Sequence, residues 1–262
     1  MKNKILSQIG TECPWRDTLY WYNTIDSTNL KAKQLAKEGA PGGTVVVAGM
    51  QTGGRGRLGR SFASAEGGMY LSAILRPRCT PDKLMHLTCA AGVAACRAVE
   101  RVSGIRPDIK WINDLVYGGK KLGGILTELG INSSGSVDYA IVGIGINCRQ
   151  KGFPEELQKI ATSLSKITNA PCSPDQLTAA LIEELCSMDA VLLTEKKAIM
   201  RAYRDRCITL GKEISLLRGE EISHGKALDI DDDGGLVVEF SDGSVKTVSS
   251  GEVSVRGMYG YL

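Results

Sequence analysis

The amino-acid sequence predicts an α/β (α+β) protein with a small all-β domain at its C-terminal end. Strand-like apolar runs alternate with capped or alanine-rich helical stretches over roughly the first 200 residues. A loop of glycine and arginine, Gln51-Thr-Gly-Gly-Arg55-Gly-Arg57-Leu-Gly-Arg60, separates two of those runs. The last 50 or so residues then change to short alternating segments divided by Gly-Glu, Asp-Gly and Ser-Gly turns.

Taken in order, Tyr20-Trp-Tyr22 reads as a first strand. Asp26-Ser27-Thr28-Asn29 then caps a helix over Leu30–Glu38 that stops at Gly39 and Pro41. Strands at 44–50 and 69–76 bracket the arginine loop. From Pro81 to about Ser103 the pattern is helical, with many alanines for close packing on a sheet. Lys110-Trp-Ile-Asn-Asp114 and Leu115-Val-Tyr117 lead into the Gly118-Gly119 turn. Lys121–Leu129 and Tyr139–Asn147 are further strands, and helices follow at 174–193 and 195–206. Short strands at Glu213–Leu217, Ile222–Leu228, Leu236–Phe240, Val245–Val248 and Val253–Val255 suggest a small barrel. The domains are accordingly drawn at 1–209 and 210–262.

Composition excludes several classes. A formal net charge of +3 over 262 residues is too weak by itself to imply a nucleic-acid binder. No apolar stretch reaches the about 18 residues of a membrane span, and Met1–Gly10 is too polar for a signal peptide, so a cytoplasmic protein is expected. Eight cysteines without a Cys-x-x-Cys pair, and only two histidines, read as reduced buried thiols rather than disulfides or a zinc site.

Two motifs are decoys. Gly54-x-Gly56-x-x-Gly59 satisfies the dinucleotide fingerprint, but no helix follows it. The strand-like Ser72-Ala-Ile-Leu75 run stands where an acidic residue is needed, about 20 positions on. Asp229-x-Asp231-x-Asp233-Gly234 begins like a calcium loop, yet Phe240 occupies the twelfth position, so a solvated turn is expected.

Three segments carry chemistry. Glycine in the arginine loop lets backbone N–H groups approach a ligand, and arginine offers a fixed fork of donors for carboxylate or phosphate. Lys121, heading Leu-Gly-Gly-Ile-Leu-Thr-Glu128, places a cation at a sheet edge or cleft; a lysine-rich solvated hairpin is the plainer alternative. In Ile141-Val-Gly143-Ile-Gly145-Ile-Asn147, alternate glycines bare one strand face, either for a flat ligand or for a helix packed tightly above.

Together these segments resemble the biotin protein ligases. The resemblance rests on Gly54-Arg-Gly-Arg-Leu-Gly-Arg60, Lys110-Trp-Ile-Asn-Asp114, Lys121-Leu-Gly-Gly-Ile-Leu-Thr-Glu128, Gly143-Ile-Gly-Ile-Asn147 and the early Ser27-Thr-Asn29, in the family's order. Ile112 stands where the family usually has proline, and Phe62 where a tryptophan often follows the loop. The resemblance implies a biotin/lipoate ligase-type catalytic domain with an SH3-like C-terminal barrel. It implies joining of biotin to ATP as biotinyl-5′-AMP, then transfer to a lysine of a biotin carboxyl carrier domain.

By the same resemblance, Ser27, Thr28, Asn29, Gln51, Arg55, Gly56, Arg57 and Lys121 bind biotin. Arg57, Arg60, Lys110, Asn113, Lys121 and Asn147 bind the nucleotide. Lys121, Arg57 and Asp114 are catalytic, with Asp114 positioning Mg²⁺ or the incoming lysine. A lipoate–protein ligase is the enzymatic rival, against which the intact arginine loop and the C-terminal barrel favour biotin; a non-catalytic biotin sensor is the rival from another class, and it would have no reason to keep Lys121 and the arginines. Many members carry an N-terminal helix-turn-helix domain. The roughly 20 residues before the Tyr20 strand are too few for one, so specific DNA binding is not expected. Sheet edges of such a fold could pair, which leaves a homodimer open.

Overall fold

A computed structural model describes residues 1–150, 152–169 and 172–249 and the backbone of 254–256. In chain order its elements are α1 (Lys2–Leu6), β1 (Leu19–Ile25), α2 (Thr28–Lys37), β2 (Val45–Gln51), β3 (Met69–Leu75), α3 (Leu87–Ser103), β4 (Asp108–Lys110), β5 (Asp114–Tyr117), β6 (Lys120–Ile131) and β7 (Val137–Ile146). There follow α4 (Leu164–Ile167), α5 (Pro174–Val191), α6 (Lys196–Arg204), β8 (Glu213–Arg218), β9 (Glu221–Ile230), β10 (Leu236–Phe240), β11 (Val245–Val248) and β12 (Ser254–Arg256).

The first sheet has the order β1-β2-β3-β7-β6-β5-β4, parallel only between β1 and β2. The interior strand β3 is buried along its whole length because both faces are covered. Leu71, Ala73 and Leu75 join the large core shared with the helices α3 and α5, while Ile74 joins Ala32 and Ala36 of α2 on the opposite face. Small residues on α3 (Ala90, Ala91, Ala94, Ala95, Ala98) bring that helix close to the sheet, as expected.

Two helices start differently from the sequence expectation. Ser27 is the N-cap of α2, so Thr28 and Asn29 belong to its first turn rather than preceding it. The stretch from Pro81 divides into a 3₁₀ turn (Pro81–Leu84) and α3, interrupted at His86, whose Nε2 lies 2.9 Å from the Leu192 carbonyl. The short α1 and α4 were not anticipated.

The second sheet is wholly antiparallel, in the order β11-β10-β9-β8-β12. Its described ladders join five short strands into the small antiparallel β domain expected at the C-terminal end. Val253, assigned to the last strand from sequence, lies outside the described residues. Trp111 Nε1 donates to the Gly234 carbonyl at 2.9 Å and Arg204 pairs with Asp232 at 2.9 Å, which ties this sheet to the first domain. The Asp229–Gly234 segment is a hairpin turn in which Asp231 Oδ1 accepts from the backbone N–H of Asp233 and Gly235.

Candidate active site

The site lies where the N-terminus of α2, the end of β2 and the middle of β6 and β7 meet beneath the arginine loop. The cleft there spans about 800 Å³ including its open mouth, within the range of nucleotide-sized ligand sites.

At one end the walls are polar and buried. Thr28 donates its backbone N–H to Gln51 Oε1 at 2.8 Å, and its hydroxyl lies 3.0 Å from the same oxygen. Gln51 Nε2 in turn donates to Ser64 Oγ at 2.8 Å. Ser72, on the α2 face of β3, lies 2.8 Å from Thr28 Oγ1 and 2.6 Å from Asn29 Oδ1. Asn29 Nδ2 donates to the Leu126 carbonyl and to Glu128 Oε2.

At the other end the groups are charged. The β5–β6 ladder skips Leu122, pairing Leu115 with Gly123 but Val116 with Lys121. A bulge of this kind re-aims a side chain, and Lys121 Nζ meets Asp114 Oδ1 at 2.6 Å. Arg57 Nη1 donates to Asn113 Oδ1 at 3.1 Å, and Asn113 is itself anchored on the Ile125 carbonyl. Burial lowers the pKa of the Arg57 guanidinium, opposed by the nearby Asp114 carboxylate, but arginine stays a cation throughout the working range. Arg55, Arg57, Arg60 and Lys121 line the cleft against a single lining carboxylate, Asp114, so the cleft is cationic. Such an arrangement can hold a carboxylate beside a phosphate and stabilise charge that develops between them.

The bare face at Gly143 and Gly145 is partly used by the protein itself. A Cβ on Gly143 would come within 1.8 Å of Asn29 Oδ1, and one on Gly145 within 2.5 Å of the Phe62 ring. Close helix packing therefore accounts for the first glycine, and an aromatic lid over the strand for the second.

Sequence models of two families match this chain, the Biotin/lipoate A/B protein ligase family over residues 21–147 and the Biotin protein ligase C terminal domain over 209–256. The bifunctional ligase/repressor BirA of Bacillus subtilis is 36% identical over 250 residues, covering 90% of this chain and 74% of that protein. The biotin--[acetyl-CoA-carboxylase] ligase of Mycobacterium tuberculosis is 32% identical, covering 94% and 91%. The chain belongs to the biotin protein ligase family. Among solved structures, the Aquifex aeolicus biotin protein ligase in complex with biotin and ATP superposes with a TM-score of 0.77 at 34% identity, covering 91% and 98%.

Against this family background, eleven of the thirteen sequence-assigned site residues line one cleft: Ser27, Thr28, Asn29, Gln51, Arg55, Gly56, Arg57, Arg60, Asn113, Asp114 and Lys121. Lys110 and Asn147 do not. Lys110 is buried at the end of β4, opposite Asp114 in the ladder. The Asn147 side chain turns to Gln150, and its backbone is held by Leu122 and Leu164. The Trp111–Ile112 peptide is cis, at the position where the family usually has proline. Sequence reasoning passed over Ser72, although a hydroxyl inside the otherwise apolar Met69–Leu75 strand has to find a partner. It also left Phe62 and Glu128 without a role.

Proposed function

We propose that this chain attaches biotin to a lysine of a biotin carboxyl carrier domain through biotinyl-5′-AMP. In the first step the biotin carboxylate attacks the α-phosphorus of ATP, a P–O bond forms and pyrophosphate leaves. In the second the acceptor lysine amine attacks the acyl carbon, an amide forms and AMP leaves. The observation that carries this reading is the convergence of Lys121 and Arg57 on one end of a cleft whose other end is a buried neutral polar pocket.

Residue by residue, Ser27, Thr28 and Gln51 bind the polar ring of biotin. Arg55, Gly56 and Arg57 cover its carboxylate and the adjoining phosphate, and Arg60 and Asn113 extend the nucleotide side. Lys121 leaves Asp114 to bridge carboxylate and α-phosphate, where it stabilises the charge of the transition state. Mg²⁺ would spread the charge of the ATP phosphates. Among the described residues no cluster of three acidic, histidine or cysteine side chains could hold a metal. A lone carboxylate such as Asp114 suits an ion bound mostly by water and phosphate oxygens. From their places in the fold, Lys110 and Asn147 support the walls rather than touch the nucleotide.

We further draw the boundary between the ligase and C-terminal units at Thr209, whose hydroxyl caps the Trp111 N–H at 2.9 Å just before the second sheet begins. A cytoplasmic location is supported by eight free thiols, and no described helix is long and apolar enough to cross a membrane. β1 is an outer strand at which a second copy could add, a point for sedimentation with and without biotin and ATP. Specific DNA binding is not expected of these residues, because Ile5, Ile9 and Trp15 are buried in the ligase core rather than presented on a recognition helix. A gel shift at physiological salt should show only weak, sequence-indifferent retention.

The deciding assay is pyrophosphate release from ATP with biotin, lipoate or neither. Release with biotin alone, followed by biotin transfer to a carrier-domain lysine, is the expected result. Release with lipoate but not biotin would overturn the assignment.

A further inference from the structure

All eight cysteines are free, and none of them lines the cleft. Burial pushes the thiols of Cys79, Cys89, Cys96, Cys186 and Cys207 above the ordinary cysteine value, and a thiol that keeps its proton is a poor nucleophile.

Cys172 differs. It immediately precedes Ser173, the N-cap of α5, where the helix dipole favours negative charge. Its Sγ lies 3.8 Å from Cys148 Sγ, and both residues are buried. The hydrogen bond from Cys148, aided by the Arg149 cation, holds the Cys172 thiol below the ordinary value against its own burial. The same contact, together with burial, pushes the Cys148 thiol up, so the pair divides into a nucleophile and a partner that keeps its proton. The two positions are also joined by other bonds. Arg149 donates its Nε–H to the Cys172 carbonyl at 2.9 Å, and Cys148 Sγ lies 3.7 Å from that oxygen. A disulfide is about 2.05 Å long, so the two sulfurs need to approach by about 1.7 Å, within what a change of side-chain rotamer provides.

Between these cysteines the chain brackets Lys121 of the cleft. The Ile160 carbonyl accepts the Lys121 N–H at 2.7 Å, and Thr162 donates its N–H to the Lys121 carbonyl at 2.9 Å. Leu164 donates its N–H to the carbonyl of Asn147, the residue before Cys148, at 3.0 Å.

From this placement we propose that Cys172 and Cys148 form a peroxide-responsive dithiol, a modification site whose disulfide tethers the segment that brackets Lys121. The Cys172 thiolate attacks one oxygen of hydrogen peroxide: an S–O bond forms, the O–O bond breaks, and the departing hydroxide takes up a proton as water. The Cys148 thiol then attacks the sulfenic sulfur. An S–S bond forms, the S–O bond breaks, and the hydroxyl leaves as a second water with the Cys148 proton. Two thiols and one peroxide thus give a disulfide and two waters, with two electrons passing from sulfur to oxygen. A thiol reductant reverses the change by exchange. The inference is independent of which acid the cleft activates.

The test treats the full reduced chain with stoichiometric hydrogen peroxide, quenches it with an alkylating agent and maps its peptides by mass spectrometry without reduction. A linked Cys148–Cys172 peptide pair, lighter by two hydrogens, should form ahead of any product at Cys89 or Cys96 and vanish with dithiothreitol. In Cys148→Ala the sulfenic acid at Cys172 should persist and be trapped by dimedone, whereas Cys172→Ala should give neither product. Amide exchange at Thr162 and Leu164 should slow several-fold in the linked chain relative to the reduced one. Should either variant not fold, the wild-type peptide map carries the test. Absence of the link from the folded wild type, or its appearance only after Cys89 is oxidised, would overturn the proposal. So would a linked chain in which these two amides exchange as before.

Discussion

Ser27, Thr28, Asn29 and Ser72 are buried at one end of the cleft and bonded to protein groups from α2, β2, β3 and β6. At the other end, Arg55 and Arg60 are exposed, Leu58 at the loop tip is 62% exposed, and the Lys121 cation is half-buried against one carboxylate. Each end suits what it is proposed to bind. A neutral ring does not change charge during the reaction, so a fixed set of donors and acceptors can be formed in advance and add to affinity. The carboxylate and phosphate change charge from substrate to transition state to product, and groups that can change partners are needed there. Lys121 illustrates this, since the amine proposed to meet the phosphate is held by Asp114 in the free protein.

Substitutions at the two ends should separate in kinetics. Lys121→Ala is expected to slow pyrophosphate release about 100- to 1,000-fold while biotin affinity changes little. Wild-type rates in that variant would contradict the role of the charged end. Gln51→Ala should do the reverse, raising KM for biotin roughly ten-fold or more with kcat nearly held, because it removes binding common to ground and transition states. A fall in kcat of the same size would mean that the ring pocket also takes part in chemistry.

Smaller effects sharpen the contrast. Arg57→Ala should speed adenylate dissociation by about ten-fold, read by trapping released biotinyl-AMP, with biotin alone bound almost normally. Tryptic cleavage after Arg55, Arg57 and Arg60 should fall when biotin and ATP are added together. The weakest effect is on pH. The folded-state pKa of Glu128 is depressed, so its ionised contribution is complete above the ordinary glutamate value of about 4.3 and fades as pH falls through the lower folded value. This part of the fold's stability should thus be intact at neutral pH and lost only on acidification through and below the ordinary glutamate range, as thermal melts over a pH series would record.

The charged end was the more legible of the two in the amino-acid sequence. Its chemistry sits in local runs, Arg55 to Arg60 and Lys110 to Lys121, whose residue types already announce anion binding. The ring end is assembled across the fold. Ser72 reaches Asn29 over a sequence separation of 43, and Glu128 reaches it over 99, so neither bond has a local signature. The bulge that skips Leu122 could not be read either, because it depends on the register of two strands and not on either strand alone. Alternate glycines at 143 and 145 correctly marked close approach, but only the structure distinguishes a helix side chain from an aromatic ring as the partner.

Hydrogen exchange measured by mass spectrometry, on the free chain, with biotin, and with biotin plus ATP, compares the two ends directly. Amides of β2, β3 and the first turn of α2 should exchange slowly in all three states. Those of residues 54–61 should exchange fast in the free chain and become protected once biotin and ATP are both present. A loop already protected without ligand, or a ring pocket that gains as much protection as the loop, would contradict the division of the cleft into a preformed end and an adaptable one.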